Sequence, residues 1–324
     1  MIQRDGANTS LWQDSTAPYQ PGNTIEKEYD IVIAGGGITG VSTGLLLQKA
    51  GYRVAILEAA TLCFGTTGGT TAHLNTIMDT PYTTITKNFG RENAELVAQA
   101  AGEAISLIKS NIEEYAIDCS FESACAYLFS QTKEQTEELE EIGRATLATG
   151  VDVDYVGKIP VKMPFKKALE IKGQAKFHPV RYVLALAKAF EDLGGVIIES
   201  CRVKAAQNSD PIRLDTERGE FITRYLIYAT HIPPGVSILN TRCAPYRTYA
   251  IAVTLTDEAY PEGLIYDMYD PYHYYRTQKI DGKKFLIAGG EDHKTAHETN
   301  TEACFRRLES HVRNFFEGSE VCYR

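Results

Sequence analysis

The chain has 324 residues, enough for two domains with separate cores, and its 44% hydrophobic and 23% charged residues are ordinary for a globular protein. A formal net charge of -9 excludes a nucleic-acid groove, which needs clustered lysine and arginine, and no apolar run reaches the roughly 18 to 20 residues of a membrane span. Seven cysteines at scattered spacings, without a C-x-x-C or a Cys/His cluster, encode neither a zinc nor an iron–sulfur site, so no metal is expected and the thiols read as reduced, in a cytoplasmic protein.

Residues 1–25 contain no apolar signal core and read as an irregular arm. "YDIVIA" reads as a buried strand, "TGVSTGLLLQKAG" as a helix closed by Gly51, and "YRVAILEA" as the next strand. Over residues 92–114, Val97, Ala101, Ala104, Ile108 and Ile112 recur along one helical face. Thr132 and Gln135 make a capping box for a polar helix that stops near Gly150. "HPVRYVLALAKAFEDLGG" has Pro179 at its first helical position and glycine just past its end, and "VIIES" follows as a strand. Then come the β segments "PIRLDT", "EFITRYLIYAT", "YRTYAIAVTLT", "GLIYDMY", "HYYRTQ" and "KKFLIAGG", and a last helix with Leu308, Val312 and Phe315 at helical spacing.

This interleaving predicts an α/β fold: a discontinuous Rossmann-like nucleotide-binding domain and a second, α+β domain built on a mostly antiparallel sheet. The expected boundaries are 26–78, 176–240 and 298–324 for the first, and 79–175 and 241–297 for the second.

"DIVIAGGGITG" contains G-x-G-x-x-G as Gly35, Gly37 and Gly40, after a strand and at the start of a helix. The next strand ends in Glu58, 23 residues after Gly35, near the roughly 20 expected of an acid that binds a ribose. Gly35 permits the turn, Gly37 lets backbone approach a pyrophosphate, and Gly40 lets the helix pack closely. Gly36, Ile38, Thr39 and Ala59 complete this dinucleotide half-site, where the helix N-terminus offers N–H groups and partial positive charge. NAD and FAD share such a half-site. Residues 63–73, "CFGTTGGTTAH", carry N–H and O–H donors at Gly65, Thr66, Thr67, Thr71, Ala72 and His73, and no third βαβ unit appears for more than a hundred residues. Such a loop can wrap a pyrophosphate and reach a flavin ring, which favours FAD.

Together, "YDIVIAGGGITGVSTGLLLQKAGYRVAILEA", "GTTGGTTAH", "HPVRYVLALAKAFEDLGGVIIESCRV", "RYLIYATHIPPG" and "YHYYRTQKIDGKKFLIAGGEDH" resemble the FAD-dependent oxidoreductase family of D-amino-acid oxidase, glycine oxidase and sarcosine oxidase. The resemblance implies FAD, hydride transfer from the carbon next to an amine, a small amine or amino-acid substrate, and oxygen or an electron carrier as acceptor. It sets Val203 backbone against adenine and puts Ala229 and Thr230 in the family's A-T-G segment, with His231 replacing the usual glycine. "GTTGGTTAHLN" and "GGEDHKT" are most similar to a bacterial subgroup that carries a C-terminal Rieske domain, whose C-x-H…C-x-x-H pair does not occur in this sequence. "SEVCYR" stands where the family's last FAD-domain strand is expected to begin, so that domain reads as incomplete.

The tyrosines at 246, 249, 266, 269, 272, 274 and 275 read mainly as sheet packing, with Tyr249 and Tyr274 as candidates for the pocket. Arg276 lies where the glycine-oxidase branch has a carboxylate-binding arginine; a solvated strand arginine is the competing reading. His73 is expected near the flavin in a structural hydrogen bond, and His293 and His297 at the surface. An NAD-dependent dehydrogenase and a non-catalytic flavin-binding fragment are the alternative functions.

Overall fold

The computed structural model describes residues 8–232 and 244–324. In chain order its elements begin α1 (Leu11–Asp14), β1 (Glu28–Ala34), α2 (Ile38–Lys49), β2 (Val54–Leu57), α3 (Thr66–Gly69), β3 (His73–Leu74), α4 (Tyr82–Phe89) and α5 (Arg91–Glu114). They continue with β4 (Glu122–Ser130), α6 (Lys133–Ala148), β5 (Val153–Val156), β6 (Lys167–Lys176), α7 (Pro179–Asp192), β7 (Val196–Ile198), β8 (Val203–Gln207), β9 (Ile212–Thr216) and β10 (Gly219–Tyr228). The last are β11 (Tyr246–Leu255), β12 (Leu264–Asp267), β13 (His273–Ile280), β14 (Lys283–Lys294), α8 (Thr301–Phe315) and β15 (Ser319–Tyr323). These form two compact units: residues 1–70, 111–119 and 178–243, and residues 71–110, 120–177 and 244–324. No helix among the described residues is long and apolar enough to cross a membrane.

The first unit is built on a six-stranded sheet of order β7-β2-β1-β10-β9-β8, in which β7, β2, β1 and β10 run parallel. All four residues of β2 are buried, as a parallel strand covered on both faces requires. The central helix α7 starts at Pro179, and the His178 ring accepts the Arg181 N–H at 3.2 Å as its cap. The N-terminal arm departs from the irregular segment expected: α1 opens with a Ser10/Gln13 capping box and buries Leu11 and Trp12. The local signal for this helix is the serine of "SLWQ" with glutamine three residues on.

The second unit holds a nine-stranded sheet of order β15-β11-β14-β13-β12-β4-β6-β3, with β5 also on β6. Its pairings are antiparallel except β12 with β4. The strands β3 to β6 and β15 extend the β content beyond the sequence reading. On α5 the buried positions are Ala94, Ala98 and Asn111, while Ala104 of the expected stripe is exposed. The segment 298–324 lies in this unit and not with the nucleotide-binding residues. The reason is local: α8 turns Cys304, Leu308 and Val312 into the core formed by β11, β13 and β14, and β15 pairs with β11. Residues 71–78 lie here too, with β3 hydrogen-bonded to β6, while 233–240 fall outside the described residues.

Candidate functional site

In the first unit β1 runs directly into the glycine loop. Gly35 adopts φ +114°, which side-chain-bearing residues rarely take, and an added Cβ would stand 2.5 Å from the Ala229 carbonyl oxygen. A Cβ at Gly40 would overlap the Gly35 carbonyl oxygen, so the first turn of α2 is seated on the loop backbone itself. Gly37 caps α2 without a side chain. The Ile38 N–H instead donates to Thr67 Oγ1 at 3.1 Å, and Thr39 beside it is exposed. The result is a helix N-terminus fringed by a backbone loop and a threonine, the arrangement that holds a phosphate.

Glu58 sits where β2 ends, with Ala59 next to it. Its Oε2 accepts the Gly36 N–H at 2.7 Å and its Oε1 the Ala60 N–H at 2.8 Å. The carboxylate therefore fastens the glycine loop from the position expected of the ribose acid. Gly65 caps α3, Thr66 is exposed beside it, and α1 braces this segment: the Trp12 indole donates to the Thr70 carbonyl at 2.6 Å and Gln13 to that of Cys63 at 3.3 Å. Val203 is buried at the start of β8, opposite Thr216. The Ala229 N–H donates to the Ala34 carbonyl at 2.8 Å, Thr230 follows half-buried, and His231 adopts φ +64°, a left-handed conformation that favours glycine.

In the second unit, Thr71, Ala72 and His73 lead along β3 to one face of the sheet. His73 Nδ1 lies 2.6 Å from the Tyr266 hydroxyl, which accepts from Asn75 Nδ2 at 2.7 Å. With Asn75 donating, that hydroxyl turns its own proton to His73 Nδ1, which assigns the ring proton to Nε2. His73 Nε2 and Asn75 Oδ1 are buried without a hydrogen-bond partner among the described residues. Burial, with the cations Arg276 and Lys176 nearby, holds His73 well below its usual range, so it is neutral. The Tyr274 ring stands 5.7 Å from that of His73 and covers Gly289, where a Cβ would strike it. Its hydroxyl lies 3.1 Å from Thr248 Oγ1, and burial pushes its pKa up to about 12. Asn75 and Thr248 carry no signal in the sequence, and Tyr266 reads there only as one of the sheet-packing tyrosines; sheet register pairs Tyr266 with Tyr274.

Two candidates are placed otherwise than expected. Arg276 is fully buried, and its guanidinium donates to the Ala72 carbonyl at 2.5 Å, the Phe177 carbonyl at 3.1 Å and Gln278 Oε1. Its guanidinium is engaged by two backbone carbonyls and the Gln278 side chain, so it is not a solvated strand residue, and these contacts stand where a substrate carboxylate was expected. Tyr249 points into the core, with its hydroxyl 2.9 Å from His293 Nε2 and its ring against Phe305. Strand alternation decides this, because 249, 251, 253 and 255 share the core face of β11. His293 is thus half-buried at this contact, and His297 is exposed.

A dinucleotide fits these residues. In the first unit the glycine loop leaves no room for side chains at the N-terminus of α2, and Glu58 stands where β2 ends, the position expected of a ribose-binding acid; in the second unit the orphaned Nε2 of His73 is a free donor. A model of the family described as FAD dependent oxidoreductase (DAO) matches residues 30–323. The chain is 31% identical to a putative Rieske 2Fe-2S iron-sulfur protein of Bacillus subtilis over 89% of this chain and 57% of that protein. It is 26% identical to the gamma-glutamylputrescine oxidoreductase of Escherichia coli over 79% of this chain and 63% of that one. It thus spans 57% and 63% of the lengths of these two relatives. Glycine oxidase from Geobacillus kaustophilus shares the fold, with a TM-score of 0.73 and 19% identity over 92% of this chain and 81% of that one. L-proline dehydrogenase from P. horikoshii also has a TM-score of 0.73, at 16% identity over 92% of this chain and 80% of that one. A match that runs from Asp30 through Tyr323, across residues of both units, makes this chain a member of the FAD-dependent oxidoreductase family.

Proposed function

We propose that this chain carries the FAD-binding and substrate-facing parts of an oxidoreductase that removes a hydride from the carbon next to the nitrogen of a small amine or amino acid. The observation that carries this reading is the sheet face of Tyr266, Tyr274, Asn75 and neutral His73, with the buried cations Arg276 and Lys176 close to His73. Bound FAD would supply the two-electron sink. The protein residues exclude water, orient the substrate with hydroxyl and amide groups, and supply a field that disfavours a protonated amine, whose carbon gives up hydride poorly. The same field favours an anionic carboxylate, which supports an amino acid among the candidate substrates.

Similarity to a protein named for its Rieske centre supports an electron carrier over oxygen as acceptor. The described cysteines are free, which supports the cytoplasm as compartment. An NAD-dependent dehydrogenase is set aside by the family match.

The test loads the purified chain with FAD and follows anaerobic bleaching of the visible flavin band by a panel of amines and amino acids. At least one panel member bleaches the wild type, and Tyr266→Phe, which unties His73 and Asn75, slows bleaching while retaining flavin. A loaded wild type that no member bleaches, or a Tyr266→Phe variant that bleaches at the wild-type rate, overturns the reading.

A further inference from the structure

The sheet face that carries His73 and Tyr274 also holds a carboxylate that hydride transfer does not use. Strand alternation sets Tyr272, Tyr274 and Arg276 to one side of the chain and Tyr275 to the other, in the core with α8. On the neighbouring strand β14, Leu286 and Ala288 take the core side, and Gly289 lies under the Tyr274 ring. Plain alternation would then return Asp292 to the core side. A bulge prevents this, because β14 advances from Gly290 to His293 while β11 advances only between Tyr249 and Arg247. Glu291, at φ +60° in the bulge, turns to α8, where Arg307 donates to its Oε2 at 2.5 Å. Asp292 therefore falls on the side of Tyr272 and Tyr274.

The carboxylate is set there without a protein partner. Asp292 Oδ1 is buried and accepts no hydrogen bond among the described residues. A dry, unpaired carboxylate oxygen is costly, and a cation from outside the chain would relieve it. The rings of Tyr272 and Tyr274 stand 5.9 Å apart at 37°, and aromatic faces add attraction for a cation. Burial first, and then the Asp292 charge, raise the Tyr272 hydroxyl above its ordinary range, so it stays neutral. Asp79, exposed after β3, adds negative charge near both tyrosines. The sign of charge thus reverses along the face, since Arg276 and Lys176 are the charges near His73. Ring centroids step 5.7 Å from His73 to Tyr274 and 5.9 Å on to Tyr272, a distance that a short alkyl chain covers.

We propose that Asp292 determines specificity by holding a second, protonated nitrogen of the substrate, one short alkyl chain away from the nitrogen whose neighbouring carbon is oxidised. The substrate class is then a diamine, or an amino acid with a basic side chain. This rests on the amine-oxidising reading above. The reacting nitrogen lies beside His73, where Arg276 and Lys176 favour its neutral form, and the distant one keeps its proton beside Asp292. Charge thereby sets the direction in which the substrate lies on the face.

The experiment compares 1,4-diaminobutane with butylamine, which has the same carbon chain and lacks the second nitrogen. Calorimetry on the FAD-loaded chain with its flavin already reduced measures binding without turnover, and anaerobic bleaching of the oxidised chain measures half-saturation. The wild type binds the diamine at least tenfold more tightly. The nearly isosteric Asp292→Asn loses that preference by weakening the diamine alone, and Glu317→Gln, which removes an exposed acid elsewhere, behaves as wild type. If Asp292→Asn does not fold, the smaller, neutral Asp292→Ser takes its place. A wild type that binds the two amines alike, or neither, overturns the proposal, as does a folded Asp292 variant that keeps the preference. Bleaching without the preference overturns this inference and leaves the amine-oxidising reading standing. An Asp292-dependent preference without bleaching by either amine supports the cation site and counts against that reading.

Discussion

The glycine loop of the first unit and the aromatic face of the second are built from different materials. The loop offers backbone from the contiguous run 35–40, where at Gly35 and Gly40 even one extra carbon has no room. The face offers side-chain hydroxyls, an amide and a ring from His73, Asn75, Thr248, Tyr266 and Tyr274, which lie far apart in the chain. A backbone site is damaged by added volume, and a side-chain site by the loss of a polar atom. The buried Arg276 belongs to a third kind, a side chain spent on holding backbone.

The largest effect that tests this contrast comes from Gly40→Ala. The new methyl meets the Gly35 carbonyl oxygen, which cannot move without dislodging the loop. We expect loss of bound flavin together with a stability loss of about 3 kcal/mol or more; retention of stoichiometric flavin by a normally stable variant would remove the steric account. Next is Arg276→Met, which strands the Ala72 and Phe177 carbonyls and costs about 2 to 3 kcal/mol in a urea titration. Because the guanidinium holds backbone, rates on a substrate with a carboxylate and on one without should fall by the same factor. A selective loss on the carboxylate substrate would restore Arg276 as a recognition residue.

Glu58→Gln is a smaller perturbation, since it keeps shape and one acceptor oxygen while removing the charge. FAD binding should weaken about tenfold to a hundredfold, roughly 1.4 to 2.8 kcal/mol, measured by flavin fluorescence on titration. An unchanged affinity would leave Glu58 with only its tie to the Gly36 and Ala60 N–H groups.

The smallest effect is a pH slope from His73. Its folded pKa lies well below the ordinary 6.5, so on acidification the unfolded chain takes up a proton that the native chain refuses. Stability therefore falls as pH drops below about 6.5, by at most about 1.4 kcal/mol per pH unit from this group. His73→Gln should flatten the urea midpoint against pH over that interval, and an unaltered slope would mean that His73 takes its proton in the native state as readily as in the unfolded one.

The parts of this protein that were legible in the sequence are those whose determinants are adjacent. The βαβ start, the glycine loop, Glu58 and the punctuated α7 each depend on residues within about one supersecondary unit, where steric and capping rules act locally. "SLWQ" obeys the same local rule, with Ser10 and Gln13 forming the capping box of α1. Tertiary structure alone decided the rest. Strand register chose which tyrosines face the core and which face His73, because a period of two gives each residue a side but does not say which side is which. The fate of Arg276 was set by carbonyls that approach it from residues 72 and 177, and Asp292 came to the face of Tyr274 because an extra residue of β14 bulges out of its pairing with β11. Neither outcome has a local signal, since both depend on which distant backbone or strand arrives to complete the contact.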